Sequence, residues 1–177
     1  MIARVHERGE PFATPVNLTT RAPREGEVDG VDYHFVTAAE FQRHIDDGDL
    51  LEHAQVYADQ KGVSREQLRK ALATGNDVIL RVDIQGAATL REVLPDALLV
   101  FVVPDDMAQL ETRMRERGMD EDDIQGRLTT MKQELAAQDR FDHVLENIEG
   151  DLDGTVDRLL VIVAKDRARS GRRTIDV

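Results

Sequence analysis

DVILRVD at 77–83 and ALLVFVV at 97–103 are near-continuous apolar runs. Each has strand length, and runs of this kind read as strands buried on both faces of a parallel sheet. The spacer between them holds a helical pattern over residues 86–93, so the segment predicts strand, helix and strand joined by a right-handed crossover.

Working outward, strands and helices continue to alternate. Residues 107–117 and 121–138 read as helices separated by Gly118, 143–147 as a short strand and 152–165 as a last helix. The tail 167–177 is expected to be loose. Toward the N-terminus, 15–21 and 32–36 read as short strands around a loop rich in Gly, Pro and charge. Thr37 and Glu40 form a capping box that opens a helix ending at Gly48, and 50–56 returns as a strand. Ser64 and Gln67 repeat the capping spacing ahead of an apolar face of Leu68, Ala71 and Leu72, with Gly75 as the C-terminal stop. The expected fold class is α/β, and at 177 residues a single domain is expected over 1–177.

Composition narrows the function. With no cysteine there is neither a disulfide framework nor a thiolate metal site. His6, His34, His44, His53 and His143 show no metal-ligand spacing. A net charge of −12 argues against bulk attraction to nucleic acid or an anionic membrane, so any anionic ligand must be held locally. The apolar run at 97–104 falls far short of a membrane helix, and residues 1–15 are too charged for a signal peptide, so a cytoplasmic protein is expected. Arginine outnumbers lysine nineteen to four. Its rigid fork of donors suits phosphate, although a base-composition bias in the coding sequence yields the same excess.

Residues 19–35, TTRAPREGEVDGVDYHF, match the pattern T-T-R-x-P-R-x-G-E-x-x-G-x-D-Y-x-F at every fixed position. LLEHAQVY at 50–57, DVILRVDIQG at 77–86, RMRERG at 113–118 and Arg127-Leu128 follow in order. Over roughly residues 12–165 the chain resembles the guanylate kinase family of P-loop nucleoside monophosphate kinases. The resemblance implies a three-layer parallel sheet with helices on both faces. It places a GMP-binding region at about 17–75, core at 77–104 and 143–165, and a helical lid at 105–140. Implied too are GMP and ATP as substrates and Mg2+ as cofactor.

Residue chemistry can be set beside these roles. Arg21 and Arg24 sit on a chain stiffened by Pro23, and each guanidinium can donate two hydrogen bonds to one phosphate. In isolation such a pair reads as two surface arginines; by resemblance they grip the GMP phosphate with Tyr33. Glu52 lies in an apolar strand, where a buried carboxylate needs a partner. Guanine offers two adjacent donors and adenine does not, and the family's guanine-reading acid matches Glu52; the alternative is a solvated strand edge. Asp83 ends a hydrophobic strand, where an acid can hold base or metal or cap the next helix; the resemblance puts it beside guanine. Arg113 and Arg117 share a helix face and Arg127 lies past Gly118; by resemblance these are lid arginines, while on chemistry alone they are solvated cations near Glu111, Glu116 and Glu121.

The chain also departs from the family. None of its twelve glycines precedes a lysine, so the phosphate cradle G-x-x-x-x-G-K-[ST] is not in this sequence. In the family that loop precedes a helix whose end residues 2–10 resemble. The first strand and the P-loop, roughly twenty or more residues, are therefore expected to be missing, through a late start or a true loss. Without them the chain is expected to be nearly inactive, its neighbouring strands left without partners. Gln60-Lys61-Gly62-Val63 replaces the common Y-Y-G-[ST], and Asn17 stands where a serine near the GMP phosphate is usual. Lys61 and Asn17 are thus possible phosphate contacts. Besides a GMP kinase, two readings remain open: a non-catalytic module that binds GMP or a protein, and a kinase of another phosphorylated small molecule.

Overall fold

The computed structural model describes residues 1–169 other than Tyr57 and Arg117, and their side chains other than those of Val56, Gln109 and Arg113. The described chain divides into two units, one of residues 4–97 and one that begins at Leu98.

In the first unit a short helix α1 (Ile2–Glu7) precedes β1 (Phe12–Ala13), which runs parallel to β6 (Asp77–Val78). A four-stranded sheet has the order β3-β2-β5-β4, from β3 (His34–Phe35), β2 (Leu18–Thr19), β5 (Asp59–Ser64) and β4 (Leu50–Val56). Strands β2 and β3 are parallel, and the other pairs are antiparallel. The capping box forms as expected: Glu40 N–H donates to Thr37 Oγ1 at 3.2 Å and Thr37 N–H to Glu40 Oε2 at 2.9 Å, opening α2 (Ala38–Asp46). Ser64 caps α3 (Arg65–Leu72). Helix α2 drops Phe41, fully buried, between Leu18 and Leu50, and such a burial is worth about 1.5–3 kcal/mol. Leu51, Val63, Leu68, Leu90 and Leu94 form the neighbouring core, drawing in Leu72, Val78, Leu80 and Val82.

Two strand expectations need correction. The 77–83 run forms a ladder only at Asp77–Val78 and is half-buried, not covered on both faces. Its partner chain reaches Pro15, which has no N–H, and the last main-chain bond is Ile79 N–H to Ala13 O at 2.9 Å. Farther on, a side chain takes over: Asn17 Nδ2 donates to Arg81 O at 3.3 Å. Strand β5 lies where the sequence reading assigns no element, its sequence DQKGVS being mostly polar. It is a strand because Gly62 lets its neighbours close in: a Cβ there would stand 3.0 Å from Leu50 Cδ1 and 3.1 Å from Phe41 Cζ.

In the second unit β7 (Val100–Pro104) runs parallel to β8 (His143–Asn147). This strand too is half-buried, with Val102 exposed on it, contrary to the two-faced burial its composition predicts. Burial on both faces needs cover from several elements, and β7 has one ladder partner among the described residues. Helices α5 (Met107–Glu116) and α6 (Glu121–Leu135) flank Gly118, whose φ of +74° suits a residue without Cβ. Asp120 caps α6, which ends before the expected Gln138; residues 138–140 form a 3-10 turn. Helix α7 (Leu152–Arg167), capped by Asp151, includes Arg167 of the expected loose tail, and 170–177 lie outside the described residues.

Candidate functional site

The T-T-R segment is pinned by its own threonines. Thr19 Oγ1 donates to Gln60 O at 3.1 Å, and Gln60 N–H donates to Thr20 Oγ1 at 2.8 Å, fixing the chain just before Arg21 to β5. Gly26 and Gly30 turn the following loop with φ of +82° and +75°. Asp32 accepts from Val28 N–H at 2.8 Å and Asp29 from Phe35 N–H at 2.9 Å, so the acids of the motif brace the loop itself.

Arg21 is held end-on. Nη1 and Nη2 each donate to one oxygen of Glu27 at 2.9 Å, and Nη1 also donates to Ala22 O at 2.7 Å. Glu27, which also accepts from Arg24 N–H at 2.7 Å, is pulled down to a pKa of about 2, chiefly by the Arg21 hydrogen bonds. Of the five guanidinium donors these contacts use three, leaving Nε–H and the second Nη2–H side by side on one edge. That edge matches two oxygens of a phosphate. The cation also lies 5.5 Å from the Tyr33 ring centre and 5.7 Å from that of Phe35. Arg24 is exposed on the same loop, and Lys61 is half-buried on β5, opposite Thr19 on one side and Ala54 on the other.

Asn17, the other expected phosphate contact, holds the neighbouring chain. It is 7% exposed, and one of its two amide N–H groups donates to Arg81 O, while Oδ1 is buried with no partner among the described residues. Its visible work is on the backbone of Arg81. That guanidinium stands 5.3 Å from the Tyr33 ring centre, so two arginines share one aromatic ring.

Glu52 is 6% exposed on β4. No hydrogen bond to its carboxylate is present among the described residues, and burial, then the charge of Asp83, pushes its pKa up to about 7. A carboxylate so placed gains by meeting a ligand with two donors. Asp83 is the N-cap of α4 (Ile84–Val93), its Oδ1 accepting from Gly86 N–H at 2.8 Å. Gly86 makes room for Glu52: a Cβ there would lie 2.5 Å from Glu52 Oε2 and 3.0 Å from Val82 Cβ.

The first unit thus brings Arg21, Tyr33 and Arg81 together, and Glu52 with Asp83 and Gly86. The lid arginines belong to the second unit. Arg127 is exposed on α6; Arg117 and the side chain of Arg113 lie outside the described residues. The fixed arginine of this helix pair is Arg115, which binds Glu111 of its own helix and reaches Glu121 of α6 at 3.0 Å. Sequence reasoning passed over Glu27, Arg81, Gly86 and Arg115. Glu27 and Gly86 occupy fixed motif positions, and Arg81 shares its side of an extended chain with Asp83, two residues on.

Residues 3–166 match the family model described as guanylate kinase. The chain is 40% identical to rice "Guanylate kinase 2, chloroplastic/mitochondrial" along its whole length, spanning 63% of that protein. It is 39% identical to a Xanthomonas campestris guanylate kinase over 92% of the chain and 79% of the relative. A Nocardia farcinica guanylate kinase shares 45% over 82% of the chain and 77% of the relative. The crystal structure of guanylate kinase from Anaplasma phagocytophilum superimposes with a TM-score of 0.78 at 29% identity, covering 96% of this chain and 83% of that one. Family model, relatives and shared α/β fold agree, and the chain belongs to the guanylate kinase family.

Proposed function

We propose that this chain serves the ATP-dependent phosphorylation of GMP to GDP, and that its own contribution is the acceptor site. The observation that carries this reading is the Glu52 carboxylate, buried, without a hydrogen-bond partner and beside Asp83. Guanine supplies the two donors that such a group lacks, and adenine presents an acceptor in their place. Discrimination is strong when a site leaves its polar groups unpaired with the wrong ligand.

In this reading Arg21 offers its open edge to the GMP phosphate, with Arg24, Tyr33 and Lys61 beside it. A phosphate oxygen of GMP attacks the γ-phosphorus of ATP, the bond to ADP breaks, and charge spreads over the transferred group. Arg113, Arg117 and Arg127 are proposed to neutralise that charge as lid residues. Magnesium would accompany the ATP phosphates and lower their charge. It keeps several waters and takes one or two carboxylates, and Asp83, its Oδ1 engaged by Gly86, has Oδ2 to offer. Among the described residues no group of three or more His, Asp or Glu is arranged for a metal. No helix of the described residues is long and apolar enough to cross a membrane. With the net charge of −12, we place the protein in the cytoplasm, acting on small molecules and not on nucleic acid or membrane. We also take 1–177 as one domain in function, with the GMP-binding, core and lid regions assigned above.

Calorimetry with GMP, AMP and ATP tests the site. GMP binding that AMP does not reproduce and that Glu52→Gln removes is the expected result; a folded chain that ignores GMP overturns the assignment. A second reading is a GMP- or protein-binding module without turnover, which would keep the same buried Glu52 carboxylate. Incubation with ATP, GMP and magnesium bears on the two: GDP formation overturns the module, whereas GMP binding without GDP is what the acceptor site alone gives under either reading.

A further inference from the structure

We infer that Arg81 is an additional phosphate-binding residue of the nucleotide site, a guanidinium that takes the monophosphate together with Arg21. The inference rests on the GMP reading above and adds a residue to it. Arg81 is exposed, and its Cζ lies 5.3 Å from the centre of the Tyr33 ring that Arg21 approaches to 5.5 Å. Glu27 engages Arg21 through both oxygens, and no carboxylate is hydrogen-bonded to the Arg81 guanidinium among the described residues. Two guanidiniums at one ring repel each other, and a phosphate that meets both offsets that repulsion.

The placement is built into the chain. Asn17, nearly buried, holds Arg81 O at 3.3 Å, so the backbone from which the guanidinium projects is fixed while its head stays open to solvent. A guanidinium near an aromatic ring keeps its N–H donors at its edge, available to phosphate oxygens. Position matters as well: Arg81 precedes by two residues Asp83, whose charge acts on the proposed guanine-reading Glu52. One extended segment therefore carries a cation for the phosphate end and an anion for the base end. Arg81 adds its donors to the open edge of Arg21 at the Tyr33 ring.

The test compares GMP with guanosine, which shares the base and lacks the phosphate, on the full chain and on Arg81→Ala and Arg81→Lys. The full chain should bind GMP more tightly than guanosine. Arg81→Ala should weaken GMP by about tenfold or more and leave guanosine unchanged, as expected when a charge-assisted hydrogen bond is lost. Arg81→Lys, which keeps the charge without the fork, should recover part of the loss. Unchanged GMP affinity in Arg81→Ala overturns the inference and leaves the GMP site standing. An equal fall for GMP and guanosine also overturns it, since it would mean that Arg81 supports Tyr33 without touching phosphate. A full chain that binds neither ligand overturns the GMP site and the inference with it.

Discussion

The loop at 19–35 and the helix pair α5–α6 both carry arginines expected to meet phosphate, and they hold them in opposite ways. In the loop, Arg21 is fixed by Glu27, Ala22 and two aromatic rings, and one donor edge is left over. In the helix pair Arg127 lies on an exposed surface, and Arg115, between the two helices, is engaged by Glu111 and Glu121. A side chain ordered before binding loses little entropy when the ligand arrives.

The sharpest way to break this comparison is Arg21→Ala. Losing two charge-assisted hydrogen bonds should weaken GMP by about a hundredfold, close to 3 kcal/mol, read by calorimetry. A loss below threefold would mean that the ordered loop is not a binding device. Glu52 comes next, through pH. Its pKa is about 7 in the fold against 4.5 for an ordinary glutamate, so between these values the folded state binds the extra proton. Without ligand, stability should therefore fall as pH rises from about 4.5 to about 7, by on the order of 3 kcal/mol in total, and level off above. Denaturant titrations across that range should show this slope in the parent chain and lose it in Glu52→Gln. GMP affinity should run the other way, rising with pH to about 7 as the carboxylate ionises.

Gly86→Ala should produce a smaller effect. The new methyl would meet Glu52 Oε2 at 2.5 Å, and the carboxylate, as the movable partner, should shift. About tenfold weaker GMP binding is expected with little change in melting temperature, because Ala is favoured over Gly inside a helix by roughly 0.5–1 kcal/mol. An unaltered GMP affinity would detach Gly86 from the site. Smallest of all is Arg115→Ala, which removes exposed ion pairs with Glu111 and Glu121. Thermal melts should show a slight drop, and GMP affinity should not move; a large fall in GMP affinity would make this helix pair part of the acceptor site.

Much of this was legible in the residues. The Thr37–Glu40 capping box, the strand at 50–56 and the strand at 143–147 depend on neighbours in sequence, and they formed as read, whereas Ser64 caps its helix without a return bond from Gln67, whose side chain meets His34. The 77–83 and 97–103 runs were legible as strand-forming but not in extent or burial, since a ladder also depends on what its partner donates, and Pro15 donates nothing. Strand β5 was invisible because its polar sequence is held by Gly62 contacts with residues far along the chain. In the site, Arg21 and Tyr33 were readable from the motif. The bidentate grip of Glu27 was not, because spacing alone does not say which acid turns inward.

By itself the sequence determined the class of protein: one seventeen-residue pattern with fixed Gly, Pro and Arg positions dictates a loop with few alternatives, and the pattern implied its ligand. Tertiary structure decided what surrounds each group. It buried Glu52 against Gly86 and near Asp83, which set the proton affinity of Glu52, and it stood Arg81 on the ring already shared with Arg21. Backbone turns and caps follow from local chemistry, while burial, charge and the company of a side chain depend on residues brought together from distant parts of the chain.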